Sequence, residues 1–409
     1  MKPMGSIPSA FVADERGQLL IGGHAIDELI DQAGDTPLFV YDFAMVRARI
    51  AELRAALPPE VALHYAIKAN PLPELVRSIA PLVDGLDVAS EGEMLVALAT
   101  KAPHVSFAGP GKRDRELEAA IIAGVTLNLE SEGEARRAVT IADRLGITPN
   151  LAVRVNPTFD LRGSGMRMGG GAKPFGVDDD KVPALVSWLI SVGAQWRGFH
   201  IYGGSQALSA DAIIESQHQT IALAASLADE IGQTPPLVNL GGGFGIPYFP
   251  KEVPLDLNAV GAALALSCDN RPASLADARF AIELGRYLVG EAGVYLCRIV
   301  DRKISHGEVF LVTDGGLHHQ LAATGNFGTV VRRNYPVAIA SRFTAQGVED
   351  ASIVGCLCTP LDRLADQIAV PKADVGDVVA VFMAGAYGLS SSPSGFLGHP
   401  LPHELMVNK

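Results

Sequence analysis

The chain has 409 residues, enough for two or three domains at about 150 residues each. Hydrophobic residues make up 48% and charged residues 19%, so there is material for a core and no compositional case for disorder. The net charge of -12 argues against nucleic acid or an anionic membrane surface as the main partner.

The first 37 residues hold a polar start, a short apolar run from Leu19 to Ile21 and a helical patch from Ala25 to Ile30. They contain no run of signal-peptide type, and no stretch reaches the roughly 18 apolar residues that span a bilayer. Cys268, Cys297, Cys356 and Cys358 are too few and too scattered for a disulfide framework. The expectation is a reduced, soluble, cytoplasmic protein. L-F-V-Y-D at 38–42 reads as a strand, followed by a helix from about 43 to 57 with Val46, Ile50, Leu53 and Leu57 on one stripe.

From residue 61 short apolar runs alternate with helical patterns. The runs are 61–68, 85–90, 105–110, 125–130, 151–157, 198–203, 238–243 and 280–285. Eight strand–helix units match a (β/α)8 TIM barrel better than an open sheet, with the run at 38–42 assigned outside the closed barrel. After about 296 the texture changes to strands at 297–304, 309–314, 353–358 and 378–383 with little helix between them. The predicted organisation is therefore α/β: a barrel over 37–292 and a mostly-β domain built from 1–36 and 293–409.

In such a barrel chemistry gathers at the C-terminal ends of the strands. Those ends bear Lys68, Gly109-Pro110-Gly111-Lys112, Glu130, Asn156, Tyr202-Gly203-Gly204-Ser205, Gly241-Gly242-Gly243 and Glu283-Leu284-Gly285-Arg286. Along 61–68, alternation sets Val61, Leu63, Tyr65 and Ile67 on one face and Ala62, His64, Ala66 and Lys68 on the other. A lysine after two alanines is either a strand-end amine reaching for water or an amine held for a Schiff base with pyridoxal phosphate. Gly241, Gly242 and Gly243 make either a tight turn or a backbone cradle for a phosphate. A Rossmann fingerprint fails there, because Ile246 stands where a third glycine is needed and Pro247 spoils the helix start. Glu283 with Arg286 is either a barrel-end ion pair or a partner for a pyridine nitrogen beside a phosphate-binding cation. Cys356 and Cys358, His318-His319, and His399 with His403 each hint at a metal, but none has a second ligand pair at useful spacing, and no metal is assigned.

Y-A-I-K-A-N (65–70), G-L-D-V-A-S-E-G-E (85–93), N-L-G-G-G-F-G (239–245), E-L-G-R-Y (283–287), C-x-x-x-D (358–362) and G-A-Y-G (385–388) stand in the order seen in the ornithine/diaminopimelate decarboxylases, and the chain resembles that family of fold-type III pyridoxal phosphate enzymes from about residue 36 to its end. The resemblance implies an alanine-racemase-type barrel with a C-terminal β domain, and a homodimer with shared active sites. It makes Lys68 the lysine that carries the cofactor and Glu283 the partner of the pyridine nitrogen. Gly241, Gly242, Gly243, Gly285, Arg286 and Tyr387 become phosphate contacts. Asp87 and Ser205 are implied near the cofactor, and either His200 or Tyr202 stacks on its ring. Cys358 is implied to reach the partner's site as the proton donor, while Asp314, Cys358 and Tyr387 face substrate. Asp314 is equally readable as a turn residue.

Two departures bear on substrate: Thr359 replaces a family Glu after the cysteine, and D-G-G-L-H-H-Q-L-A-A-T (314–324) replaces an Arg-Pro-x-Leu-Tyr segment. With N-Y-P (334–336) and S-P-S-G-F-L-G-H-P (392–400), these resemble a branch containing the glutamyl–carrier-protein decarboxylase of aminoglycoside biosynthesis and relatives associated with exopolysaccharide systems. The expected activity is removal of an α-carboxylate from an amino acid or an amino-acyl group, with carrier-bound glutamyl as one substrate. Free diaminopimelate, ornithine or lysine is the alternative. A racemase is disfavoured because that class places arginine, not Glu283, against the pyridine nitrogen, and a non-catalytic homologue is disfavoured by the joint presence of Lys68, Glu283 and Cys358.

Overall fold

The structure, a computed structural model, describes residues 2–163, 165–325 and 333–409. The chain divides into two compact units, one of Ile50–Ile246 with Pro254–Gly285, the other of Met1–Arg49, Pro247–Val253 and Arg286–Lys409.

In the first unit eight parallel strands close on themselves: Ala62–Ala66, Gly85–Val88, Val105–Phe107, Thr126–Leu129, Asn150–Asn156, Gln195–Ile201, Leu237–Asn239 and Arg279–Leu284. The ring shuts because Arg279–Leu284 pairs with Ala62–Ala66, and Thr126–Leu129 pairs with Asn150–Asn156. Each overlaps one of the eight runs expected from sequence, although four begin earlier, Gln195–Ile201 by three residues. The first ends sooner than expected, at Ala66, and Lys68 sits in a 3-10 turn, Ile67–Ala69. The intervening helices follow their caps and stripes. Helix Glu132–Leu145 starts where the Ser131 hydroxyl accepts from Glu134 N and ends on Gly146 in the left-handed region. Helix Leu257–Asp269 keeps Gly261 because a Cβ there would stand 2.0 Å from the Ala56 carbonyl oxygen.

The second unit is built on an eight-stranded mixed sheet. Gly293–Ser305, Glu308–Thr313, Glu349–Val354 and Val378–Val381 were legible as apolar runs, although the third stops before Cys356. Val337–Ile339, Arg363–Val370 and His403–Val407 were not. Strand Arg363–Val370 hides its period because Gln367 takes φ 51° and the register slips opposite Ala351 and Ile353. Leu38–Asp42 pairs antiparallel with Gly293–Ser305 and parallel with His403–Val407. The expected boundary at residue 37 therefore moves to residue 49, since both edges of that strand are bonded inside the β unit. No helix among the described residues is long and apolar enough to cross a membrane.

Candidate active site

Strand register builds the barrel's reactive end. Glu283 is level with His64, and His64 with Gly85. One step further along, Ala66 is level with Asp87, and Asp87 with Ser106. On the far arc His200 is level with Asn239. Parallel strands at this register turn separate positions in the chain into a ring of polar side chains over an apolar wall.

Glu283 is the centre of that ring. It is 7% exposed, and its Oε2 lies 3.0 Å from His200 Nε2 and accepts from Asn239 Nδ2 at 3.1 Å. Burial works against the charged form, but His200, then Lys68 and Arg154, hold the carboxyl well below the ordinary range. Asp87 Oδ1 meets His64 Nδ1 at 3.4 Å and accepts from the Ser106 hydroxyl. Burial lowers the His64 pKa, yet Asp87 and, more weakly, Glu283 outweigh it and raise it. The Lys68 side chain is exposed, with Nζ 5.6 Å from the centre of the Tyr202 ring. Its charge is felt at both Glu283 and Glu93. His200 turns its Nε2 edge to Glu283 and lies tilted at 42° to Tyr202, 6.5 Å between ring centres.

The triple glycine is wedged between strands. Gly241 and Gly243 take φ 73° and 82°, and Gly241 N donates to Asn239 Oδ1 at 2.9 Å. A Cβ on Gly242 would stand 1.9 Å from the Glu283 carbonyl oxygen, and one on Gly243 would stand 2.5 Å from that of Gly204. Gly285 is tight against the lysine turn, where a Cβ would meet the Ala69 methyl at 2.8 Å. Four polar atoms at the strand ends are buried without a partner among the described residues: Asp87 Oδ2, Asn156 Oδ1, His200 Nδ1 and Ser205 Oγ. A buried orphan is costly unless a ligand completes it, so a polar ligand such as pyridoxal phosphate fits this donor and acceptor set.

Other strand-end residues serve the scaffold. Lys112 Nζ donates to the Gly109 and Asn128 carbonyls and to Glu134 Oε1 at 2.7 Å, fully buried. Glu130 accepts from Arg154 at 2.8 Å and from the Gly109 and Gly176 amides. Asn156 donates to the Gly171 carbonyl and Asp178.

In the β unit, Arg286 Nη1 donates to the Tyr248 hydroxyl at 2.9 Å, and its guanidinium lies 4.7 Å from the Tyr387 ring centre. Tyr387 takes φ 53°, a strained backbone for a non-glycine residue. Cys358 is exposed. Asp314 has both oxygens engaged: Oδ2 accepts from the Thr36 hydroxyl at 2.5 Å and Oδ1 from Arg298 N at 2.9 Å. Each oxygen thus carries one hydrogen bond, and burial pushes the carboxyl pKa up.

His64, Asn239, Ser106, Arg154 and Tyr248 were not singled out as site residues from sequence. His64 had a signal, since it shares the alternating face with Lys68. Asn239 did too, standing two residues before the glycine run. The others become meaningful only through register or through the Arg286 contact.

A family model described as "Pyridoxal-dependent decarboxylase, pyridoxal binding domain" matches residues 43–290. The chain is 35% identical to the L-glutamyl-[BtrI acyl-carrier protein] decarboxylase of Niallia circulans, over 91% of this chain and 89% of that one. It is 29% identical to a diaminopimelate decarboxylase of Methanothermobacter thermautotrophicus, over 97% of this chain and 92% of the relative. Among solved structures, the diaminopimelate decarboxylase of M. jannaschii in complex with L-lysine superposes with a TM-score of 0.88 at 25% identity, covering 97% of this chain and 92% of that one.

Proposed function

We propose, from the premise that this chain belongs to the pyridoxal-dependent decarboxylase family, that its substrate is an α-amino-acyl group of glutamyl type borne on a carrier protein. The chain is a pyridoxal phosphate-dependent decarboxylase that removes an α-carboxylate. The observation that carries the assignment of roles is the buried, ionised Glu283 at the end of the barrel strand beside the lysine turn.

Bound pyridoxal phosphate supplies the electron sink for the pair left behind when CO2 departs. Glu283 would hold a proton on the cofactor's ring nitrogen, with its Oε2 taken by His200 and Asn239. Their grip fixes the carboxylate's plane and keeps it charged. Asp87, held by His64 and Ser106, keeps Oδ2 for the same ligand. Lys68 would be the amine that holds the cofactor, and Tyr202, whose ring centre lies 5.6 Å from that amine, would flank it. His200 is thus the positioning partner of Glu283 rather than the stacking residue. Ser205 and the amides of Gly242, Gly243 and Gly285 take the phosphate, while Gly241, whose own N–H goes to Asn239, shapes the turn; Arg286, next in the chain after Gly285, supplies the cation and carries Tyr387 on its guanidinium. Cys358, exposed in the single chain, serves the partner of a homodimer as the proton donor after CO2 leaves.

We favour the carrier-bound substrate over free diamino acids because Asp314, which already accepts from Thr36 and Arg298 N, has its pKa raised by burial and is thereby a weaker counter-charge for a distal amine. Full-length relatedness to the carrier-protein enzyme points the same way. Measuring CO2 release from glutamyl-carrier protein, free glutamate, ornithine, lysine and diaminopimelate tests this. Turnover of the carrier-bound group at least tenfold above every free amino acid is expected. Preference for diaminopimelate or lysine would move the chain to the diamino-acid readers, and robust CO2 release by Lys68→Ala would remove Lys68 from its role.

A further inference from the structure

The β unit holds a second convergence of reactive groups that decarboxylation does not use. His318 lies in the turn after strand Glu308–Thr313, Cys356 in the turn after Glu349–Val354, and His399 directly after the short turn Phe396–Gly398. One ligand atom from each lies within 4.8 Å of the others. Cys356 Sγ is 3.8 Å from His399 Nδ1 and 3.9 Å from its Nε2. His318 is 0% exposed, and among the described residues neither of its ring nitrogens has a partner. A neutral imidazole carries one donor and one acceptor, and burying both unpaired is costly unless something occupies them. The adjacent His319 has no such need, since Nδ1 meets the Tyr295 hydroxyl and Nε2 the Pro400 carbonyl, each at 3.0 Å.

We propose that His318, Cys356 and His399 form a binding site for a transition-metal dication of borderline softness, with zinc(II) the best match. One thiolate and two imidazoles are the donor set that this ion prefers, and three protein ligands leave the fourth tetrahedral position to water. Zinc bonds of about 2.3 Å to sulfur and about 2.0 Å to nitrogen place tetrahedral sulfur and nitrogen ligands ~3.5 Å apart. The Cys356–His399 distances close to that value by a few tenths of an ångström, and the His318 ligand atom, within 4.8 Å of the other two, closes by up to about 1.3 Å. On binding, the Cys356 thiol gives its proton to solvent and exchanges its long 3.5 Å contact with the Asp314 carbonyl for a metal–sulfur bond.

The surroundings set two of the ligands in advance. Asp362 Oδ1 accepts from Leu317 N at 2.6 Å and Oδ2 from Leu357 N at 2.8 Å, the residues next to His318 and Cys356. Gly316 and Gly355 make room for that carboxylate, because a Cβ on either would stand 2.2 Å from one of its oxygens. A shared acid thus clamps both ligand-bearing turns, as outer partners do around metal ligands generally. Sequence spacing hides the site. The Cys356–Cys358 pair, the His318–His319 pair and the His399–His403 pair each contribute one ligand, so none shows a recognisable motif.

The test uses the full-length, cofactor-loaded enzyme, equilibrated with zinc chloride, desalted and analysed for retained metal by mass spectrometry. One zinc per chain is expected, falling at least tenfold in Cys356→Ser, His318→Ala and His399→Asn and staying unchanged in His24→Ala, which alters an exposed histidine. Cobalt(II) in place of zinc should show tetrahedral ligand-field bands that Cys356→Ser abolishes. If Cys356→Ser fails to fold, His399→Asn, altered at a half-buried residue, carries the same comparison. Wild-type enzyme that retains no more zinc than the His318→Ala/His399→Asn double variant overturns the proposal, whatever either protein does with substrate.

Discussion

Glu283 shows how a residue's neighbours decide its chemistry. Burial by itself would neutralise the acid, yet His200, Lys68 and Arg154 keep it ionised. An amide of the same shape keeps the contacts but loses the charge. Glu283→Gln is therefore expected to keep the absorbance of bound cofactor while the CO2 release rate falls about 10²-fold or more, as for loss of one preorganised electrostatic partner. A variant with unchanged turnover would show that Glu283 does not control the ring. His64 gives a second, separable signature. Its pKa is raised, so the His64–Asp87 pair contributes stability that is complete below the ordinary histidine value of about 6.5 and is lost as pH rises through the raised value. The Tm of the wild type should decline through that alkaline window, and the Tm of His64→Gln should decline less. Equal slopes would mean that the pair does not titrate there. Lys68, Glu283 and the glycines were legible in the sequence because they occupy ends of apolar runs. The link from Glu283 to His200 and Asn239 was not, since those three come from three strands.

At the scale of elements, close approach of backbone decides more than side-chain type. The glycine run lies so near strand Arg279–Leu284 that a methyl at Gly242 would stand 1.9 Å from the Glu283 carbonyl. Gly242→Ala must push the loop or the strand away, at about 1–3 kcal/mol. Cofactor titration followed by absorbance should show affinity weakened at least tenfold, with Glu283 displaced from its donors; unaltered affinity would show that the loop does not form the phosphate cradle. The Lys112–Glu134 pair anchors the helix Glu132–Leu145 beneath the neighbouring strand ends. Burial lowers the Lys112 pKa and raises that of Glu134, so both shifts run against the ion pair. Lys112→Met leaves an uncompensated buried acid and is expected to cost about 3–5 kcal/mol in denaturant unfolding, with much of it restored by adding Glu134→Leu. No recovery in the double variant would mean that Lys112's carbonyl bonds, not its charge, carry the stability. In sequence Lys112 stood out as a strand-end amine in Gly109-Pro110-Gly111-Lys112. Only the helix packed behind it shows where the amine goes.

At the scale of the whole molecule, the proposed role of the exposed Cys358 as proton donor in a partner's site needs a second chain. If two chains share each site, a mixture of Lys68→Ala and Cys358→Ala, each inactive alone, should recover about a quarter of wild-type turnover, because random pairing makes half the dimers mixed and gives each one intact site. No recovery after mixing and re-association would make each chain self-sufficient. The amino-acid sequence by itself determined the eight barrel strands, the glycine run and the acid two residues before Gly285. These depend on local alternation and on backbone freedom, which are written in neighbouring residues. Tertiary structure alone decided that strand Leu38–Asp42 joins His403–Val407 across most of the chain. It also spent Asp314 on Thr36 and Arg298, and brought His318, Cys356 and His399 together. Those outcomes rest on contacts between distant segments, whose partners no local period can name.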